Sequence, residues 1–185
     1  MCGIDLPLET KTYEELQKLS LQNTGEKIPL FSDVLKLVDG RVPLLIEIKL
    51  HSHHTYPCAL VDKLLQGYQG SYCIESFNSL ALFWYRRNRP DVVRGQLSSN
   101  LTSPVAEGGY VLSFLVKHLL TNCIGRPDFI AYCYKDSRNL SFCLNRHLYK
   151  TPVFAWTLRT PEAYETCKKR FDSVIFDSFL PPKQA

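Results

Sequence analysis

No Cys-x-x-Cys pair occurs among the seven cysteines of this 185-residue chain. That absence argues against a structural zinc site and against a thioredoxin-like redox site. The cysteines (Cys2, Cys58, Cys73, Cys123, Cys133, Cys143 and Cys167) are widely scattered and odd in number, which suggests free thiols in a reducing compartment. Cys73 and Cys133 fall within strand-like runs and read as small core residues. No apolar run approaches the ~20 residues that span a bilayer; the most apolar helical stretch, Val111 to Leu120, is broken by Lys117 and His118. The first residues lack the basic-then-apolar pattern of a secretory signal, so a cytoplasmic location is expected. Charge of one sign is also scarce, at a net +4. The basic clusters Arg86, Arg87, Arg89 and Lys168, Lys169, Arg170 adjoin apolar helix-like sequence. They read as solvated helix faces, and no nucleic-acid partner is expected.

What is present is an ordinary globular composition, 45% hydrophobic and 22% charged, with branched and aromatic residues throughout. Disorder is excluded on that ground, and the length suits one domain over residues 1–185. Six apolar runs read as strands: Val42 to Lys49, Tyr72 to Ser76, Val92 to Leu97, Phe129 to Tyr134, Pro152 to Thr157, and Ser173 to Asp177. Several are almost continuously apolar, the mark of strands buried on both faces of a parallel sheet.

Helix signals lie between them. Thr12-Tyr-Glu-Glu15 is a capping-box pattern. Phe31, Val34, Leu35 and Val38 recur at helical spacing and stop at Gly40. Asn78 can cap the segment carrying Leu80, Leu82 and Trp84. Val111, Leu112, Leu115, Val116 and Leu119 form another stripe, and Thr160-Pro161 is a cap with proline at the first helical position. His118 reads as a helix residue and His147 as a loop residue. Strands alternating with helices admit an open doubly wound sheet or a (β/α)₈ barrel lacking two strands. The chain has no Gly-x-Gly-x-x-Gly, so a dinucleotide-binding sheet has no positive support. A complete barrel takes about 250 residues, so this chain falls short by roughly the missing strands.

Glu47 and Lys49 are two charges at the end of the otherwise apolar first strand. Their spacing of two puts both on one face. Burying them is costly unless they pair or meet a ligand. A carboxylate there suits a hard cation, Mg²⁺ or Ca²⁺. A lysine beside it can neutralise an anionic phosphate oxygen. The plainer reading is a structural ion pair.

The stretch Ile28-Pro-Leu-Phe-Ser-Asp-Val-Leu35, followed by Val42-Pro-Leu-Leu-Ile-Glu-Ile-Lys49, resembles the central part of glycerophosphodiester phosphodiesterases. Glu75-Ser-Phe77, Arg94-Gly-Gln-Leu97, Pro127-Asp-Phe-Ile-Ala-Tyr132, Val153-Phe-Ala-Trp-Thr-Leu158 and Ser173-Val-Ile-Phe-Asp177 follow in the family's order. The resemblance covers roughly Thr12 to Pro181. It implies an α/β fold: an incomplete TIM barrel with about six of eight parallel strands. It also implies hydrolysis of glycerophosphodiesters to glycerol 3-phosphate and an alcohol with one divalent cation, Mg²⁺ or Ca²⁺. Glu47 matches the family's metal-binding glutamate, and Lys49 the lysine that faces the phosphate. Phe77 and Trp156 match residues walling the substrate pocket, although aromatic barrel core explains them as well. Leu30 stands where the family commonly has a capping threonine, so the helix start could shift.

The family's His-Arg-Gly, Glu-x-Asp and His-Asp motifs do not occur. The chain therefore reads as N-terminally truncated, with no acid–base histidine and about one metal ligand of three. No catalytic residue is assigned, and the chain alone is expected to be inactive. His51, His53 and His54 follow Lys49, but a polar loop ending at Pro57 accounts for them. Two missing strands would leave unpaired edges that invite self-association. Two other readings stay open: a non-catalytic barrel-derived binding module, and a related barrel such as a phospholipase D of the sphingomyelinase type.

Overall fold

Each apolar run becomes a strand of one parallel sheet, and each amphipathic stretch a helix that covers it. The computed structural model describes residues 10–21, 24–50, 54–100 and 109–181. The strands are β1 Leu44–Glu47, β2 Tyr72–Ser76, β3 Arg94–Ser98, β4 Phe129–Cys133, β5 Val153–Leu158 and β6 Ser173–Phe176. They lie side by side in chain order, every neighbouring pair parallel. Helices α1 Tyr13–Leu16 and α2 Phe31–Val38 precede β1. The crossovers carry α3 Tyr56–Leu65, α4 Ser79–Asn88, α5 Gly109–Lys117, α6 Asn122–Gly125, α7 Leu140–His147 and α8 Pro161–Cys167. Among the described residues, no helix is long and apolar enough to cross a membrane.

The helix signals are borne out at their caps. Thr12 and Glu15 close a reciprocal capping box, Asn78 accepts from the Leu80 N–H, and Thr160 accepts from the Ala163 N–H ahead of α8. Leu30 is itself the N-cap of α2 without a side-chain bond, so the missing hydroxyl leaves the helix start in place. Asp39 and Gly40 then end α2 in the left-handed region. Two expectations are corrected. Pro57 does not end a loop but occupies the first turn of α3, where its missing N–H costs nothing. His147 is the last residue of α7, where an imidazole can interact favourably with the helix dipole. His118 lies one residue past α5, its N–H still bonded to the Phe114 carbonyl.

Alternation along each strand sorts side chains into two cores. Toward the helices lie Ile74, Ile130, Tyr132, Val153, Ala155 and Leu158, packed under α3, α4, α7 and α8. The concave side holds a smaller cluster built on Leu97, Phe129 and Ala131, with Cys73, Phe77, Phe154, Trp156 and Ile175 against it. Gly95 faces this interior. A Cβ there would stand 2.1 Å from the Phe129 ring, which stacks on Phe154 at 4.5 Å between centroids. The interior is therefore filled by side chains, as in barrels generally.

The sheet curls without closing: β1 and β6 have a strand partner on one side only among the described residues. Burial follows the same order. Every residue of β3 is buried, whereas neither β1 nor β6 has a buried residue. Leu45 belongs to the concave face, opposite Cys73, yet is 38% exposed, because among the described residues no strand flanks it on the far side.

The basic clusters are engaged locally. Arg86 donates to the Ile124 carbonyl, Arg87 lies over Phe83, and Arg89 pairs with Asp62 at 2.6 Å. The six described cysteines are free thiols. Cys73 and Cys133 are only half-buried, facing the concave side rather than the helix-covered core. Burial still pushes the Cys73 thiol up to about 11, with Glu75 adding to the shift.

Candidate functional site at the carboxyl rim

Side chains at the C-terminal ends of parallel strands in a barrel converge on one rim. Here that rim is assembled by β1 and β2, paired in register from Leu44 opposite Tyr72 to Glu47 opposite Glu75. Register partners in a parallel ladder point to the same face, so Glu47 and Glu75 share the concave side. Two residues further along each chain, Lys49 and Phe77 take the same direction.

Glu47 and Lys49 form an ion pair at 3.7 Å, with side-chain exposures of 33% and 65%. The sequence placed these charges together on one face, and they are together. The edge position of β1 leaves the ammonium mostly in water, so the pair alone adds little stability. The ammonium is also free to reach an anion without being desolvated first.

Glu75 differs. It is 6% exposed, and its Oε2 accepts no hydrogen bond among the described residues. Burial, reinforced by the neighbouring Glu47 charge, raises its pKa to about 7. In the sequence Glu75 stands out only as part of Glu75-Ser-Phe77. The available signal was an acidic side chain at the end of an apolar strand, the same placement that drew attention to Glu47.

Polar side chains behind the rim hold these strand ends in place. The Ser76 hydroxyl donates to the Ile48 carbonyl at 2.6 Å, tying the end of β1 to β2. The Gln96 amide donates to the carbonyls of Ser76, Phe77 and Leu97, and its oxygen accepts from Ser79. Gln96, Ser76 and Ser79 are all buried. A satisfied buried network of this kind fixes backbone position, and here it sets where Lys49 and Phe77 emerge.

Phe77 meets Trp156 edge to face across the concave side, 5.5 Å between ring centroids. The Trp156 indole N–H donates to the Ala131 carbonyl at 2.9 Å. Both rings are half-buried and rest on the interior cluster. They are core below and rim above, so the two sequence readings of them are compatible. On the far edge, Asp177, just past β6, pairs with Arg159 at 3.2 Å. Of the histidines after Lys49, His51 and His53 lie outside the described residues, and His54 is exposed ahead of α3.

Oxygen donors at this rim suit a hard divalent cation. Glu47 and Glu75 are the two carboxylates that face one another there. The unpartnered Glu75 oxygen is what a carboxylate awaiting a positive partner would show. Among the described residues no group of three or more His, Cys, Asp or Glu could hold a metal, and two carboxyl groups alone do not make up a full coordination shell.

No family model matches this sequence, and no curated protein matches it. Solved structures do. A glycerophosphodiester phosphodiesterase from Thermotoga maritima aligns over 95% of this chain and 70% of its own, with a TM-score of 0.64 at 22% identity. One from Parabacteroides distasonis aligns over 90% and 66%, with a TM-score of 0.64 at 19% identity. The chain carries part of a glycerophosphodiester phosphodiesterase fold. A third neighbour, a phosphodiesterase from Oleispira antarctica in complex with the product sn-glycerol-3-phosphate, aligns over 91% and 67%, with a TM-score of 0.67 at 14% identity. The chain thus spans about two thirds of the length of these phosphodiesterases, and the sheet that it builds is an α/β TIM-type barrel left open.

Proposed function

We propose that this chain carries the phosphate- and cation-binding side of a glycerophosphodiester phosphodiesterase site, with glycerol 3-phosphate esters as its ligands. The observation that carries this reading is the Glu47–Lys49 pair on the concave rim of that barrel, joined through Glu75 and Phe77 to Trp156. Glu47 is the residue that would hold Mg²⁺ or Ca²⁺. The cation, when bound, supplies Lewis-acid polarisation of a phosphoryl oxygen. Lys49 brings its exposed ammonium to a second phosphate oxygen, and the glycerol backbone rests against Phe77 and Trp156. Moving protons to and from the ester oxygens needs a separate acid and base. The sequence lacks the His-Arg-Gly and His-Asp motifs that carry such groups in the family it resembles. Binding without appreciable turnover is therefore expected of the 185-residue chain.

The test is twofold. Titration calorimetry with glycerol 3-phosphate and Ca²⁺ should show cation-dependent binding, lost in Glu47→Gln and weakened in Lys49→Ala. Release of glycerol 3-phosphate from glycerophosphocholine with Mg²⁺ or Ca²⁺ should stay at background. Cation-independent binding, or none, overturns the site. Turnover at ordinary enzymatic rates overturns the inactivity.

A further inference from the structure

The cation-site reading above names one protein ligand, Glu47, and the inference here rests on that reading and extends it. We propose that Glu75 is a second carboxylate of the same cation site, acting with Glu47 across the β1–β2 ladder.

Three observations converge. Glu47 and Glu75 are register partners on the concave face, so their backbones are about 4.8 Å apart, one strand spacing. Side chains leaving neighbouring strands in the same direction can both reach an ion held between them. Second, Glu75 is more than nine-tenths buried, and its Oε2 has no hydrogen-bond partner among the described residues. A buried carboxyl oxygen left without a partner is costly, so this one calls for a group that the described residues do not supply. Third, the charge count at the rim is unbalanced. Lys49 is paired to Glu47 at 3.7 Å and is largely in solvent, so it does not neutralise Glu75. Two facing carboxyl groups against one solvent-exposed ammonium leave more oxygen donors than positive charge at the rim, the kind of donor set a hard divalent cation takes.

The backbone is built to keep this arrangement. The residue after Glu75 is Ser76, whose hydroxyl ties β2 to the end of β1, and the Ser76 carbonyl is in turn held by Gln96. Displacing Glu75 away from Glu47 would break that set of buried bonds. Trp156, through its contact with Phe77, places an indole near the rim. It can sensitise the luminescence of Tb³⁺, a hard, oxygen-seeking ion that stands in for Ca²⁺.

The experiment uses the full chain and its Glu47→Gln, Glu75→Gln and Glu75→Asp variants. Ca²⁺ affinity is measured by calorimetry and by displacement of Tb³⁺, and melting temperature is followed in chelator and in excess Ca²⁺. Glu75→Gln is expected to weaken Ca²⁺ by at least about tenfold, the lower end of what removing even an outer partner of a bound metal costs. Glu75→Asp should fall between it and the parent. In chelator Glu75→Gln should melt at or above the parent, because a buried carboxyl with an unpartnered oxygen has been removed, and Ca²⁺ should no longer raise its melting temperature. Parent-like Ca²⁺ affinity in Glu75→Gln, with loss in Glu47→Gln, overturns the inference and leaves the Glu47 reading standing. Absence of Ca²⁺ binding by the parent chain overturns both. A Glu75→Gln chain that unfolds in chelator assigns the carboxylate a structural role and also overturns the inference.

Discussion

Phe77 and Trp156 meet edge to face over the concave side of the sheet, with 5.5 Å between centroids and 88° between planes. Phe77 lies one residue past β2 and Trp156 lies in β5, strands separated in the sheet by two others, so the contact measures how far the sheet has curled. Tertiary contacts of this kind lock curvature that isolated strand pairs would not impose. A double-mutant cycle between Phe77→Leu and Trp156→Leu is expected to return a coupling of about 0.5–1.5 kcal/mol in urea unfolding. A coupling indistinguishable from zero would mean that the rings do not hold the curl.

Glu75 also sets a pH dependence. The folded chain keeps this proton up to about pH 7, whereas an unperturbed glutamate releases it near 4.5. Between those values the folded state binds more protons than the unfolded state, so stability falls as pH rises and levels off above them. In chelator the loss should be of order 3 kcal/mol, from a shift of a few pKa units at 1.36 kcal/mol each. Glu75→Gln should flatten that segment of the profile. Denaturant midpoints at pH 4.5 and pH 8 check it, and a variant that keeps the full slope assigns it to other groups.

Gly95 leaves room for an aromatic ring. Because a Cβ would stand 2.1 Å from Phe129, Gly95→Ala should force the Phe129–Phe154 stack to move. The expected cost is about 1–3 kcal/mol, as for overpacked cores. Adding Phe129→Leu to Gly95→Ala should recover part of it. Chemical unfolding of the two variants decides, and a neutral Gly95→Ala rules out tight packing at this point.

The open edges carry a prediction of their own. Leu45 and Val42 are exposed apolar residues on or beside β1, whose outer side has no strand partner among the described residues. Such an edge templates pairing with other chains. Light scattering should show association that rises with concentration, and Leu45→Lys should reduce it. A parent chain that stays monomeric at high concentration contradicts the expectation.

The sequence revealed the scaffold more fully than the site. All six strands were legible as short runs rich in branched and aromatic residues, several of them almost continuously apolar, and the bounds read for Tyr72–Ser76 are the observed ones. The first strand is shorter than its apolar run, Leu44–Glu47 within Val42 to Lys49. Apolar composition does not tell an edge strand, paired on one side, from a central one. Helix α3 was hidden by Pro57, since proline marks a loop and a helix first turn with equal ease. Glu47 and Lys49 could be placed together because spacing within one strand suffices. Glu75 could not be joined to them, because its position beside Glu47 depends on the register between two strands, and no local pattern encodes that. Gln96 and Ser76 escaped notice for the same reason, as their bonds cross from strand to strand.

The gradient of burial across the sheet has a consequence for how a ligand would be felt. Glu47 rides on an edge strand with no buried residue, while the all-buried β3 sits two places away. Amide hydrogens of β3 and β4 should exchange last, and those of β1 early, at the low end of local opening energies. An ion or phosphate gripping the rim would therefore act first as a stiffener of a loose outer ribbon. Its arrival should slow exchange at Ile46 and Ile48 far more than anywhere in the already rigid middle.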